Sequence, residues 1–150
     1  MPKSRSYHNH PRIKRVNIVS RRRLDSLYVM QLAFLAHDEK KQAMVEFVDE
    51  HVELLEQFDC MATGSTGERL SEETELEVEQ LNSGSHGGDM MIGAAVATDE
   101  CDAVIFLRDP LTSQPHDPDI TALLRVCDVH DVPFATNISS ADAIIDYLSE

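Results

Sequence analysis

The residues of this chain that could do chemistry come in clusters. Residues 37–41 read HDEKK, 63–67 TGSTG, 83–89 SGSHGGD and 108–119 RDPLTSQPHDPD. Glycine and serine let a backbone come close to a ligand, whereas aspartate and histidine move protons. TGSTG is neither the GxxxxGK(S/T) phosphate loop nor the GxGxxG dinucleotide fingerprint. Its glycines and hydroxyls stand where a strand hands over to a helix, so backbone N–H groups and the positive end of the helix dipole could hold a phosphate there. Taken alone, the same motif is equally a plain capped turn. Lys41 favours the anion reading, because a lysine in the first turn of a helix opposes the dipole by about 0.3–1 kcal/mol. A chain so poor in cations places it there at a cost.

Asp89 follows two glycines at a helix start, where an N-cap is the ordinary role. Asp109 and Asp119 belong to the same edge, and carboxylates crowded in a partly dry cleft do not all ionise comfortably. One would then serve as a base while another holds a proton. His116 could donate a hydrogen bond to a carbonyl oxygen as it becomes an enolate, or be a simple loop histidine. With no dinucleotide-sized motif beside it, the set fits proton abstraction next to a carbonyl on a small phosphorylated three-carbon sugar. Imidazole and carboxylate are also metal ligands, so His37, Asp38, Asp89, His116 and Asp119 have a second use as a hydrolytic metal site. The reading taken here has no metal.

The elements that must position these clusters are strands alternating with helices. Apolar runs at 31–36, 58–63, 76–82, 103–108 and 133–137 read as strands, and helices are expected at about 39–56, 67–72, 89–98, 117–130 and 139–148. Ala43, Met44, Phe47, Val48 and Val52 recur at helical spacing, as do Ile120, Leu123, Leu124 and Cys127. Near-continuous hydrophobic strands alternating with helices predict an α/β fold: a three-layer, doubly wound five-stranded parallel sheet with helices on both faces. Every polar cluster then falls at the carboxyl end of a strand, the edge at which open α/β sheets bind ligands. Clusters far apart in sequence should meet in one crevice.

Charge divides the chain. Eight of its 13 basic residues precede Met30, opposed there by Asp25 alone; beyond it five cations face 26 acids, a formal −21. Self-repulsion of that size is screened in concentrated salt, where the Debye length falls to about 3 Å at 1 M, so a halophilic cytoplasm is expected. The acidic body argues against nucleic acid or an anionic membrane as partner, and no apolar run is long enough to span a bilayer. Cys60, Cys101 and Cys127 form no CxxC pair and are expected as buried, reduced thiols of a cytoplasmic protein. Residues 1–29 are expected to lie upstream of a natural start at Met30, with a nucleic-acid-binding arm and a transit peptide as alternatives. Residues 30–150 form the one domain.

HDEKK (37–41), ATGSTG (62–67), SGSHGGD (83–89), RDPLTSQPHDPD (108–119) and ALLRVCDVHDVPFATN (122–137) resemble the methylglyoxal synthase family over almost all of residues 30–147. The resemblance implies a doubly wound five-stranded fold, a homohexamer, no cofactor, and conversion of dihydroxyacetone phosphate to methylglyoxal and phosphate. Inorganic phosphate would be a product and an inhibitor. It implies that Asp89 removes a C3 proton and that His116 and His37 contact the substrate oxygens. Asp119, Asp109 and Asp38 would tune or relay protons. Lys41, Thr63, Gly64, Ser65, Thr66, Ser83 and Gly84 would grip phosphate and substrate. Ser85 and His86 depart from the family pattern, which has an apolar residue and often proline there, and the chain ends without the arginine some members lend to a neighbour. The alternative is a small-ligand-binding regulatory module of the same fold, though such modules generally lack GGD and HDPD.

Overall fold

Five runs become strands of a parallel sheet, and the central ones are apolar because both of their faces are buried. In the computed structural model, which describes residues 29–113 and 117–149, they are β1 (Gln31–Ala36), β2 (Asp59–Thr63), β3 (Glu79–Leu81), β4 (Ala103–Leu107) and β5 (Phe134–Ala135). Their order is β3-β2-β1-β4-β5, every pairing is parallel, and Phe34 stands opposite both Ala62 and Ile105. The chain steps outward from β1 to β3, then crosses to the other side of β1 for β4 and β5. Strand order therefore reverses between β1 and β4, the switch point at which such sheets open a crevice. Residues 1–28 of the basic leader and His116 lie outside the described residues.

Alternation along the strands divides the core in two. Leu32, Phe34, Ala103, Ile105 and Leu107 point to one face, beneath α1 (Lys41–Glu50), α2 (Val52–Leu55), α3 (Gly64–Glu73) and α6 (Ile138–Ser149). Ala33, Leu35, Val104 and Phe106 point to the other, beneath α4 (Gly88–Ala97) and α5 (Asp117–Val129). This is the expected three-layer, doubly wound α/β fold. Cys60, Cys101 and Cys127 are buried, and none of them is in a disulfide among the described residues. Among the described residues no helix is long and apolar enough to cross a membrane.

Besides β5, which is two residues long where five were expected, three elements depart clearly from expectation. The single helix expected over 39–56 is a 3₁₀ turn (Asp38–Lys40), α1 and α2. The break falls at His51, whose N–H is shared between the Phe47 and Val48 carbonyls, both at 3.2 Å, and whose ring lies 4.8 Å from that of Phe47. β3 is three residues long where seven were expected: it is the exposed edge, and Leu76 turns into the core instead of extending the strand. α3 starts at Gly64, three residues early, so TGSTG is itself the strand-to-helix junction with Thr63 as the extended N-cap.

Candidate active site

The switch point is tied shut by a histidine. The His37 N–H donates to the Leu107 carbonyl at 3.1 Å, joining the ends of β1 and β4. Its Nδ1 accepts the Asp109 N–H at 2.8 Å, so the neutral ring carries its hydrogen on Nε2. The ring is buried and packs edge-on against Phe106, centroids 5.1 Å apart at 77°. The Leu111 N–H, donating to Asp109 Oδ1 at 3.0 Å, and then the Thr112 hydroxyl hold the Asp109 carboxyl below the usual range. Those hydrogen bonds favour the ionised form of Asp109. Its backbone, 72 positions along the chain from His37, is what fixes the imidazole.

The next wall is cationic. Lys41, in the first turn of α1, is largely buried, with 13% of its side chain exposed, and its Nζ pairs with Asp38 Oδ1. That hydrogen bond and the lysine charge lower the Asp38 pKa. The pairing also supplies a counter-charge that offsets the cost of a lysine at a helix start.

Across from Lys41, α3 begins. The first N–H groups of a helix have no acceptor within it, and that of Gly64 is taken by the Asn82 carbonyl at 3.2 Å. Those of Ser65 and Thr66 stand at the positive end of the dipole, and Thr66 Oγ1 reaches back to the Ala36 carbonyl at 3.4 Å. Gly64 is in the left-handed region (φ +35°), and a Cβ there would lie 2.7 Å from Ser83 Cα. Glycine is required because two loops touch at this point.

Asp89 occupies the first turn of α4 and is 2% exposed. Gly87, at φ +95°, turns the chain into the helix, and at Gly88 a Cβ would strike the Asn82 carbonyl oxygen at 2.0 Å. The GG pair is thus the geometry that lays Asp89 against the strand ends. A carboxylate at a helix N-terminus is stabilised by the dipole.

These residues enclose one cavity of about 300 Å³. His37, Asp38, Lys41, Thr63, Gly64, Ser65, Thr66, Ser83, Gly84 and Asp89, all named from sequence, line it. Asp109 stands behind His37. Asp119, near the start of α5, is half-buried and is not among the described residues that line the cavity. Leu35, Ala36, Ser85 and Phe106 also line it and were not foreseen. The first two and Phe106 are ordinary core residues in sequence, and no motif marks the strand ends that become floor.

The fold and crevice define a class: a doubly wound α/β domain whose switch point gathers a lysine, a helix N-terminus and a buried carboxylate. The family model described as the MGS-like domain matches residues 43–136. The methylglyoxal synthase of Moorella thermoacetica is 54% identical over 121 residues, which is 81% of this chain and 94% of that protein. That of Bacillus subtilis is 49% identical over 121 residues, 81% of this chain and 88% of that one. A crystal structure of methylglyoxal synthase from Elizabethkingia anophelis aligns with a TM-score of 0.74 at 38% identity, covering 78% of this chain and 77% of that one. The chain belongs to the methylglyoxal synthase family.

Proposed function

We propose that this protein converts dihydroxyacetone phosphate to methylglyoxal and inorganic phosphate. The observation that carries the reading is the enclosure of Lys41, the N-terminal end of α3, Ser83 and the Asp89 carboxyl in one cavity of about 300 Å³. That volume is at the small end for ligand clefts and suits a three-carbon phosphate.

In this reading the phosphoryl group lies against Ser65, Thr66, Ser83 and Lys41, which leaves the carbon chain beside Asp89. The Asp89 carboxylate takes a C3 proton, and the C–H electron pair becomes a C2–C3 double bond as negative charge moves to the carbonyl oxygen. His37 Nε2–H and His116 are the proposed donors to the substrate oxygens, where preorganised donors stabilise developing charge most. The enediolate then collapses: C3=O forms as the C3 hydroxyl gives up its proton, the C2–C3 double-bond pair shifts to C1–C2, and the C1–O bond breaks, releasing phosphate that takes up the hydroxyl proton. Protonation of C1 in the resulting enol gives the methyl group of methylglyoxal. Elimination requires the bridging C–O bond to stand out of the enediolate plane. A grip that fixes the phosphate from two sides, by Lys41 and by the α3 and Ser83 turns, supports that conformation. Asp109 positions His37, Asp38 sets the Lys41 ammonium, and Asp119 is assigned a proton relay.

The further parts of the reading are proposals of the same kind. The reaction runs without cofactor or metal in a salt-rich cytoplasm, which the acid excess suits, and the domain spans residues 30–150. Inorganic phosphate, as product, competes for the grip. Met90 and Met91 of α4 and Leu124 of α5 are exposed, an apolar surface that suits self-association into a hexamer.

The experiment is an assay of the protein with dihydroxyacetone phosphate in concentrated KCl after EDTA dialysis, following methylglyoxal, phosphate and the aldose isomer. Methylglyoxal and phosphate in equal amounts, with little isomer, are expected. Binding of phosphate without turnover would favour a regulatory module, and turnover lost to EDTA would favour a metal site.

A further inference from the structure

One histidine beside the crevice has no part in the reaction outlined above. His86 ends the 3₁₀ turn Gly84–His86, and its Nδ1 lies 2.8 Å from Ser83 Oγ, with Ser85 Oγ more distant at 3.5 Å. The backbone around this contact is fixed from several sides. The Ser83 carbonyl accepts the N–H groups of His86 at 3.0 Å and Gly88 at 2.9 Å, and the Asn82 side-chain amide donates to the His86 carbonyl at 3.2 Å. Ser83 also abuts Gly64, where a Cβ would come within 2.7 Å of its Cα. Ser83 is therefore clamped between the turn that starts α3 and the imidazole of His86. What remains to be set is the direction of its hydroxyl hydrogen.

A serine hydroxyl has one hydrogen to donate and two lone pairs. When it donates to Nδ1, only lone pairs face the cavity, and these repel phosphate oxygens. When Nδ1 carries the hydrogen and donates to Oγ, the hydroxyl hydrogen is released toward the cavity, where a charge-assisted bond to a phosphate oxygen can form. The neutral Nδ1–H tautomer and the imidazolium both provide this arrangement. We propose that His86 is a positioning residue for the anion: its Nδ1–H holds Ser83 Oγ and directs the Ser83 hydroxyl onto a phosphate oxygen of the bound substrate. The assignment rests on the reading of the cavity as a phosphate site. His86 is exposed and does not itself line the cavity, so it acts through Ser83. Proline or an aliphatic residue at this position would leave that hydroxyl without its partner.

The test uses the full chain and two probes, dihydroxyacetone phosphate for kinetics and inorganic phosphate for calorimetric binding. His86→Ala is expected to raise KM and the phosphate Kd together by about three- to tenfold, with kcat within about twofold, the range for one lost hydrogen bond. His86→Asn, whose Nδ2–H can stand where Nδ1–H does, should restore both to within about twofold of the parent. His86→Ala should add little in a Ser83→Ala background, because the two side chains act as one unit. Parental KM and phosphate affinity in His86→Ala would overturn the proposal. So would a loss in kcat alone, failure of asparagine to rescue, or losses at 83 and 86 that simply add. A parent that binds phosphate without turnover, with the affinities ordered as above, would overturn the reaction and support the positioning role. A parent that binds no phosphate would overturn both.

Discussion

The two edges of the sheet each hold a cavity, and the larger one is at the edge where no chemistry is proposed. At the amino edge, the starts of β1 to β3 frame about 710 Å³ lined by Glu56, Asp59, Glu75, Glu77 and Glu79, with no cation among the described lining residues. At the carboxyl edge, about 300 Å³ gathers Lys41, the α3 N-terminus and one buried aspartate. Volume does not separate the two; the sign of the field does. Carboxylates repel one another and any phosphate at the amino edge, so that space suits a solvated surface. At the carboxyl edge a lysine and a helix dipole converge on the same point, and glycines at 64 and 88 let the loops close over it. Asp102 shows the same contrast: buried at the amino edge, it accepts the Gln31 N–H at 3.0 Å and serves to anchor β1 to β4.

The contrast can be broken most directly by exchanging a carboxylate for its amide at each edge. Asp89→Asn is expected to lower kcat by about 10²- to 10⁴-fold, the usual contribution of a general base, while phosphate still binds. Glu77→Gln should change kcat by less than about twofold, as surface substitutions do. Equal effects would mean that the two edges are not functionally distinct. A smaller effect is expected from Lys41→Met, which should raise KM about 10- to 100-fold, the range for a lost hydrogen bond to a charged group. Steady-state kinetics would show whether kcat follows.

The fold was largely legible because a parallel sheet buried on both faces leaves a strong apolar signal, and β1 and β4 are buried almost throughout. β3 was overread: its alternation of Glu with Leu and Val suits a strand, but an edge with one neighbour ends early. The placement of the chemical residues at strand carboxyl ends was also legible. How they are held was not. The hold of the Asp109 backbone on His37 spans 72 positions, and nothing in either segment announces it. The Asp38–Lys41 pair spans three, yet the sequence showed only a lysine against a dipole. Contacts of this kind depend on loop conformation, which residue types restrict without fixing.

Acid pH tests that pair. Because Lys41 depresses the Asp38 pKa, the pair stabilises the folded protein above the ordinary carboxylate value of about 3.9, and the contribution is lost as pH falls through the lower folded value. The difference in thermal midpoint between parent and Asp38→Asn should hold constant above about pH 5 and shrink at lower pH. A difference that grows with acid would contradict the pairing. The smallest effect concerns the amino edge. Burial, and then the neighbouring Asp59 charge, push the Cys60 thiol up to about 12, so it is not a thiolate at neutral pH. Iodoacetamide should label it slowly in the native protein and rapidly in denaturant, whereas fast native labelling would show that edge to be open and reactive.

The convergence of distant loops on one anion is tested most directly by a crystal structure with inorganic phosphate. The ion is expected against the Ser65 and Thr66 N–H groups, within reach of Lys41 Nζ and Ser83 Oγ, with the Asp89 carboxyl next to it. Phosphate bound elsewhere, or a crevice in which Lys41 and Asp89 face different surfaces, would contradict the account.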